Sequence, residues 1–125
     1  MKYGLTDRTR SSSLYFNSVN SDGTLKSTTV TSIAQRASPD AVEASAIFQY
    51  NGYYYLFTSW DTCCQGTSST YNIRVGRSTS VAGTYVDKSG VSLLSGGGTL
   101  VLGTHDSVSP SLVLVTDLLI IQATL

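Results

Sequence analysis

Glu43-Ala44-Ser45-Ala46-Ile47-Phe48-Gln49-Tyr50, then Asn51-Gly52, then Tyr53-Tyr54-Tyr55-Leu56-Phe57-Thr58-Ser59-Trp60 is the stretch that decides the fold. Two runs rich in aromatic and aliphatic residues flank an Asn-Gly pair. That pair is the strongest short hairpin signal, because both turn residues take positive φ. A two-residue loop sets the register: Tyr50 faces Tyr53, Phe48 faces Tyr55, Ile47 faces Leu56 and, at the far end, Glu43 faces Trp60. Ala44, Ala46, Phe48 and Tyr50 then share one face, while Ile47, Tyr54 and Leu56 reach the other. Strands apolar on both faces are sandwiched between layers rather than half solvated. Stacked sheets, as between propeller blades, meet that condition.

Working outward, a polar loop from Asp61 to Thr70 leads into a third strand, Tyr71–Arg77. Ser78–Gly83 turns the chain back, and Thr84-Tyr85-Val86 reads as a short fourth strand. Four consecutive antiparallel strands in about 45 residues match one propeller blade. Upstream, Leu14–Asn20 and Leu25–Ser32 around the turn Ser21-Asp22-Gly23-Thr24 read as a second hairpin, the outer half of a preceding blade. Downstream, Val91–Leu94, Gly96-Gly97-Gly98 and Thr99–Leu102 lead towards a following blade. The expected division is therefore 1–38, part of a preceding blade; 39–90, a complete blade; and 91–125, the start of the next with a divergent tail. Almost nothing reads as helix, so the fold class is all-β.

Composition narrows the function. Of 125 residues, 41% are hydrophobic, Lys+Arg and Asp+Glu stand equal at 8 each, and only 13% are charged. No basic field exists to draw nucleic acid or an anionic membrane. Polar surface must come from Ser, Thr, Asn, Gln and Gly, a composition suited to neutral, hydroxyl-rich partners such as sugars. Met1–Arg8 has no apolar core of the kind a signal peptide needs. The runs Leu112–Val115 and Leu118–Ile121 are far shorter than the roughly 18 residues that cross a bilayer. They are instead β-prone and uncharged, an aggregation hazard if exposed. Gly96-Gly97-Gly98 has no following helix or lysine and is not a phosphate loop. The two cysteines are adjacent, and with one distant histidine they make no zinc site.

The chemistry gathers at one end of the hairpin. Strand one begins where strand two ends, so Glu43, Trp60 and the Asp61–Thr70 loop come together. An acid beside an indole in a partly apolar setting tends to hold its proton to higher pH, as a general acid must. Trp60 could also offer an apolar face to a sugar ring. The ordinary alternative is a solvated strand-end glutamate beside a packed tryptophan, and on residue types alone it is favoured, since structural acids outnumber catalytic ones.

The run from Ala41 to Gly66, including Val42-Glu43-Ala44-Ser45-Ala46-Ile47 and Ser59-Trp60-Asp61-Thr62-Cys63-Cys64-Gln65-Gly66, resembles the third-blade signature of arabinanase-type family 43 glycoside hydrolases. Ser69–Ser78 and Gly96-Gly97-Gly98-Thr99 continue the likeness, which covers roughly 32–106. The resemblance implies a fragment of a five-bladed β-propeller whose parent is extracellular and hydrolyses α-1,5-linked arabinan or a related plant cell-wall polysaccharide with inversion at the anomeric centre. It places the general acid at Glu43 and the substrate cleft near Trp60, Cys63 and Cys64. A base aspartate and a pKa-tuning aspartate belong upstream, in blades preceding this stretch. Asp7, Asp22 and Asp40 do not stand in such motifs and read as turn or loop residues. A single acid without its base does not invert a glycosidic bond, so the chain alone is expected to be inactive.

The resemblance also implies a metal-holding histidine in a later blade. His105, in Gly103-Thr104-His105-Asp106-Ser107, does not sit in that motif and reads as an ordinary loop residue, so no metal or cofactor is expected from this chain. After Ser107 the sequence departs from the family pattern. Cys63 and Cys64 leave three readings open: a strained vicinal disulfide, free thiols shaping the loop, or a redox pair. Arg74 and Arg77 read as surface or inter-blade residues. A non-catalytic sugar-binding module using Trp60 and the tyrosines, and a truncated product without function, are the competing readings.

Overall fold

The computed structural model describes residues 13–37 and 41–103. Asp7, Asp40, His105 and the apolar runs after Leu112 lie outside the described residues. Strands β1 (Ser13–Phe16) and β2 (Thr31–Gln35) form a two-stranded antiparallel sheet. Strands β3 (Val42–Tyr50), β4 (Tyr53–Trp60), β5 (Asn72–Ser78) and β6 (Thr99–Leu102) form a four-stranded antiparallel sheet in that order. Two 3₁₀ turns, Gly66–Ser68 and Leu93–Ser95, are the only helical pieces among the described residues, which are otherwise all-β. Among the described residues no helix is long and apolar enough to cross a membrane.

The β3–β4 hairpin forms at the expected turn, with φ of 48° at Asn51 and 80° at Gly52. Tyr50 pairs with Tyr53, Phe48 with Tyr55 and Ile47 with Leu56, as turn chemistry dictates. The upstream hairpin also forms. Its reversal is closed by Asn20 N–H to Thr24 O at 2.8 Å, but the main ladder lies farther from the turn, between Ser13–Phe16 and Thr31–Gln35.

The fourth strand differs from the sequence reading. Val86 makes only isolated bridges to Arg77 and Ser92, and β6 takes the outer place by pairing Val75 with Thr99, Arg74 with Leu100 and Ile73 with Leu102. The cause lies in the intervening segment. The Asp87 carboxylate accepts from the backbone N–H groups of Ser89, Val91 and Gly98, drawing 87–98 into a closed excursion. The Ser92 hydroxyl caps the 3₁₀ turn by accepting from Leu94 N–H, and Gly96, at φ 76°, ends it. Gly97 passes so close to the backbone that a Cβ there would meet Val91 O at 2.4 Å. The chain is thereby returned to β5, and the four-stranded sheet runs past the boundary expected at residue 90.

One face of this sheet holds the core. Val42, Leu56 and Trp60 pack with Leu14, Phe16, Ile33 and Ala34 of the first hairpin and with Tyr85 and Leu93. Leu93 seats directly on Gly76, where a Cβ would come within 2.3 Å of Leu93 Cδ1. The opposite face, carrying Ala46, Phe48 and Tyr50 with Tyr53, Tyr55 and Phe57, ranges from half-buried to exposed. The expected sandwiching on both faces is thus found on one only: the described residues supply one covering layer.

Candidate active site

The site is set by an irregularity at the start of β3. From Tyr50 back to Ala46 the hairpin keeps the register of its turn, with Ala46 opposite Phe57. Beyond that point Glu43 pairs with Ser59 and Val42 with Trp60. Ala44 and Ser45 together oppose Thr58, a β-bulge, and Ala44 takes φ 49°, an unfavourable region for a residue with a Cβ. The sequence expectation that Glu43 faces Trp60 is therefore corrected by one residue. The physical effect is large, because a one-residue slip moves a side chain to the other face. An unbulged strand would turn Glu43 towards the core beside Trp60. The bulge turns it onto the open face, with Ser59.

Tyr71, just before β5, lies on that same face and completes the arrangement. Its hydroxyl donates to Glu43 Oε1 at 3.0 Å. Burial, above all, pushes the Tyr71 phenol above its usual range; a hydrogen bond from Ser59 works against this, and the adjoining Glu43 carboxylate adds to the rise through its charge and its hydrogen bond. The phenol therefore keeps its proton at neutral pH and acts as a donor to the half-buried carboxylate.

Across the sheet, the core face carries a separate polar network. Arg36 Nε donates to Asp61 Oδ1 at 2.8 Å, Asn72 Nδ2 donates to Asp61 Oδ2 and to Thr70 O, both at 2.9 Å, and Arg74 Nε donates to Asn72 Oδ1 at 2.8 Å. Between these groups lies Trp60. Its ring is 0% exposed, with the guanidinium carbons of Arg36 and Arg74 at 5.5 and 5.2 Å from the ring, and its indole N–H donates to Thr58 Oγ1. Expected as a sugar platform, Trp60 is instead a fully buried core residue with two guanidinium groups near its ring. The sugar-binding-module reading keeps only its tyrosines. Arg74 is part of this network, while Arg77 stands over the Tyr53 ring at 4.6 Å.

Beyond Trp60 the chain leaves the sheet through Asp61, at φ 72°, whose N–H donates to Ala41 O at 2.9 Å. The loop from Thr62 to Thr70 is tied across its base by Thr70 N–H to Thr62 O at 3.0 Å and across its tip by Gln65 N–H to Ser69 Oγ at 3.0 Å. Of the three open readings of the cysteine pair, a vicinal disulfide is the one found: Cys63 and Cys64 are bonded, with Cα atoms 3.8 Å apart and Cys64 exposed. Among the described residues no three His, Cys, Asp or Glu side chains gather as a metal site.

The model of glycosyl hydrolases family 43 matches residues 2–107, nearly the whole chain. The chain belongs to family 43. It is 53% identical over 66 residues to the extracellular endo-α-(1→5)-L-arabinanase 1 of Bacillus subtilis, covering 53% of this chain and 20% of that protein. Among solved structures, the family 43 endo-arabinanase of Bacillus licheniformis is 41% identical with a TM-score of 0.67, over 74% of this chain and 32% of that one. The α-L-arabinanase of Cellvibrio cellulosa, solved with arabinohexaose, is 36% identical with a TM-score of 0.63, over 70% of this chain and 31% of that one. The chain thus spans between a fifth and a third of the relatives it matches. In the structure Glu43 lies beside Tyr71 and Ser59 rather than the indole. Sequence reasoning missed Tyr71 as a site residue, and Asp61, Asn72 and Arg36 as the polar support behind Trp60.

Proposed function

We propose that this chain is the acid-bearing part of a secreted glycosidase that hydrolyses α-1,5-linked arabinan with inversion, Glu43 acting as general acid. The observation that carries this reading is the bulge that turns Glu43 to the open face, where Tyr71 holds one carboxyl oxygen. In an inverting reaction the acid protonates the glycosidic oxygen as the C–O bond breaks. A base carboxylate, roughly 6.5–9.5 Å from the acid, takes a proton from the water attacking the opposite face of the sugar. The base and the second aspartate belong to preceding blades. Asp22 is neither: it is exposed in the Asn20–Thr24 turn and accepts from Thr24 N–H at 2.9 Å and Thr24 Oγ1 at 2.7 Å.

On this reading the four-stranded sheet is one blade of a five-bladed propeller and β1–β2 is the outer part of the blade before it. The open face is where the following blade packs. The Cys63–Cys64 loop borders the cleft and shapes it for arabinan or a related plant cell-wall polysaccharide. Metal held in the central channel would come from a later blade, and no step assigned to Glu43 runs through it.

The test separates proton donation from folding. This chain alone should release no reducing sugar from linear arabinan, whereas a polypeptide of the relatives' length that contains it should. There, Glu43→Gln lowers kcat on arabinan by about 10²–10⁴-fold. Hydrolysis of an aryl arabinofuranoside whose leaving group needs no proton is nearly unchanged. Equal losses on both substrates, or arabinan turnover that survives the substitution, would remove Glu43 from the role.

A further inference from the structure

We propose that Tyr71 is a positioning residue that decides which oxygen of Glu43 delivers the proton, an inference resting on the reading of Glu43 as the acid. A protonated carboxyl has one hydroxyl oxygen and one carbonyl oxygen, and a hydrogen-bond donor prefers the carbonyl oxygen. Tyr71 O–H is aimed at Oε1 at 3.0 Å, so the transferable proton resides on Oε2. When Oε2 gives up that proton, the bond to Oε1 becomes charge-assisted and strengthens, so it favours the state formed by the transfer. Proton and electrons balance within the acid step: the O–H bond of Oε2 breaks, the leaving sugar oxygen gains the proton, and Tyr71 keeps its own.

The surroundings support a fixed donor. Tyr71 is joined directly to Asn72, whose side chain is locked to Asp61 and to the Thr70 carbonyl. Ser59, the cross-strand partner of Glu43, is 7% exposed and engages the same phenol. Of the charged groups at this end of the sheet, Arg36 pairs with Asp61 and Arg74 bonds Asn72, both on the opposite face. Glu43 is also the only glutamate in the sequence, which gives the idea a clean spectroscopic test.

In the 125-residue chain labelled with ¹³C at tyrosine Cζ, the Tyr71 resonance is identified by its loss in Tyr71→Phe. That resonance should move in Glu43→Gln, where the alkaline ionisation of Tyr71 also shifts down. In the arabinan-hydrolysing polypeptide, Tyr71→Phe should lower kcat by about tenfold to a hundredfold, the scale of one hydrogen bond to a charged group, with KM little changed. The loss should shrink on the aryl substrate that needs no proton. A Tyr71 resonance blind to Glu43, or a Tyr71→Phe enzyme with unaltered kcat, overturns the positioning role while leaving Glu43 as acid. Turnover that persists in Glu43→Gln overturns both.

Discussion

The two faces of the four-stranded sheet are built from similar residues and do different work. The core face buries Val42, Leu56 and Trp60 completely against the first hairpin, Tyr85 and Leu93. The open face carries as much aromatic surface, yet Tyr50 remains 63% exposed and Phe48, Tyr53, Tyr55 and Phe57 are only half covered. Aromatic content does not tell which face is a core; what packs on it does. The chemistry follows the same division. The core face has spent its ionic groups on an internal network around Trp60, and the open face holds the carboxyl with a partner that leaves one oxygen free.

This contrast can be broken by mutation. Trp60→Ala should cost about 3–5 kcal/mol, enough to unfold a marginal domain, whereas Phe57→Ala should cost less than about 2 kcal/mol. Urea denaturation of both variants decides the matter, and equal losses would mean that the open face is covered after all. Gly97→Ala forces a Cβ against the Val91 and Ser92 carbonyls. It should destabilise by about 1–3 kcal/mol and release β6 from β5, seen as lost amide protection at Thr99–Leu102. Ala44→Gly relieves the positive φ of the bulge and should raise stability by about 1 kcal/mol, with thermal unfolding as the readout. A fall in stability would show that the bulge is held by the alanine methyl.

The smallest effect is the pH dependence at Tyr71. Its folded-state proton is held to higher pH than in the unfolded chain. The stabilisation is therefore complete below about pH 10, the ordinary phenol value, and is lost as pH rises through the folded value. The stability of Tyr71→Phe should fall less steeply above pH 10 than that of the parent chain.

Much of this was legible in the sequence. Asn51-Gly52 specifies its own geometry, so the hairpin and most of its register follow from two adjacent residues. The bulge does not announce itself: Ala44-Ser45 contains no glycine, asparagine or proline to mark a left-handed residue. That single irregularity explains why Tyr71 escaped notice. On an unbulged strand Glu43 falls on the face of Trp60 and Asn72, away from the phenol. The identity of the fourth strand was hidden for another reason. Thr84–Val86 and Thr99–Leu102 have similar β-propensity, and the choice between them is made by the Asp87 carboxylate gathering three amides. Glu43 was singled out through the family signature, while the cluster of Arg36, Trp60 and Arg74 joins residues that no local pattern connects.

The disulfide between neighbouring residues has a consequence for how the protein would be assayed. A crosslink restrains the denatured chain in proportion to the logarithm of the loop it closes, and here it closes almost none. Treatment with a dithiol reductant should leave the melting temperature almost where it was, even as the rim of the Thr62–Thr70 loop changes shape. Calorimetry would pass over an event that thiol-directed mass labelling would register at once.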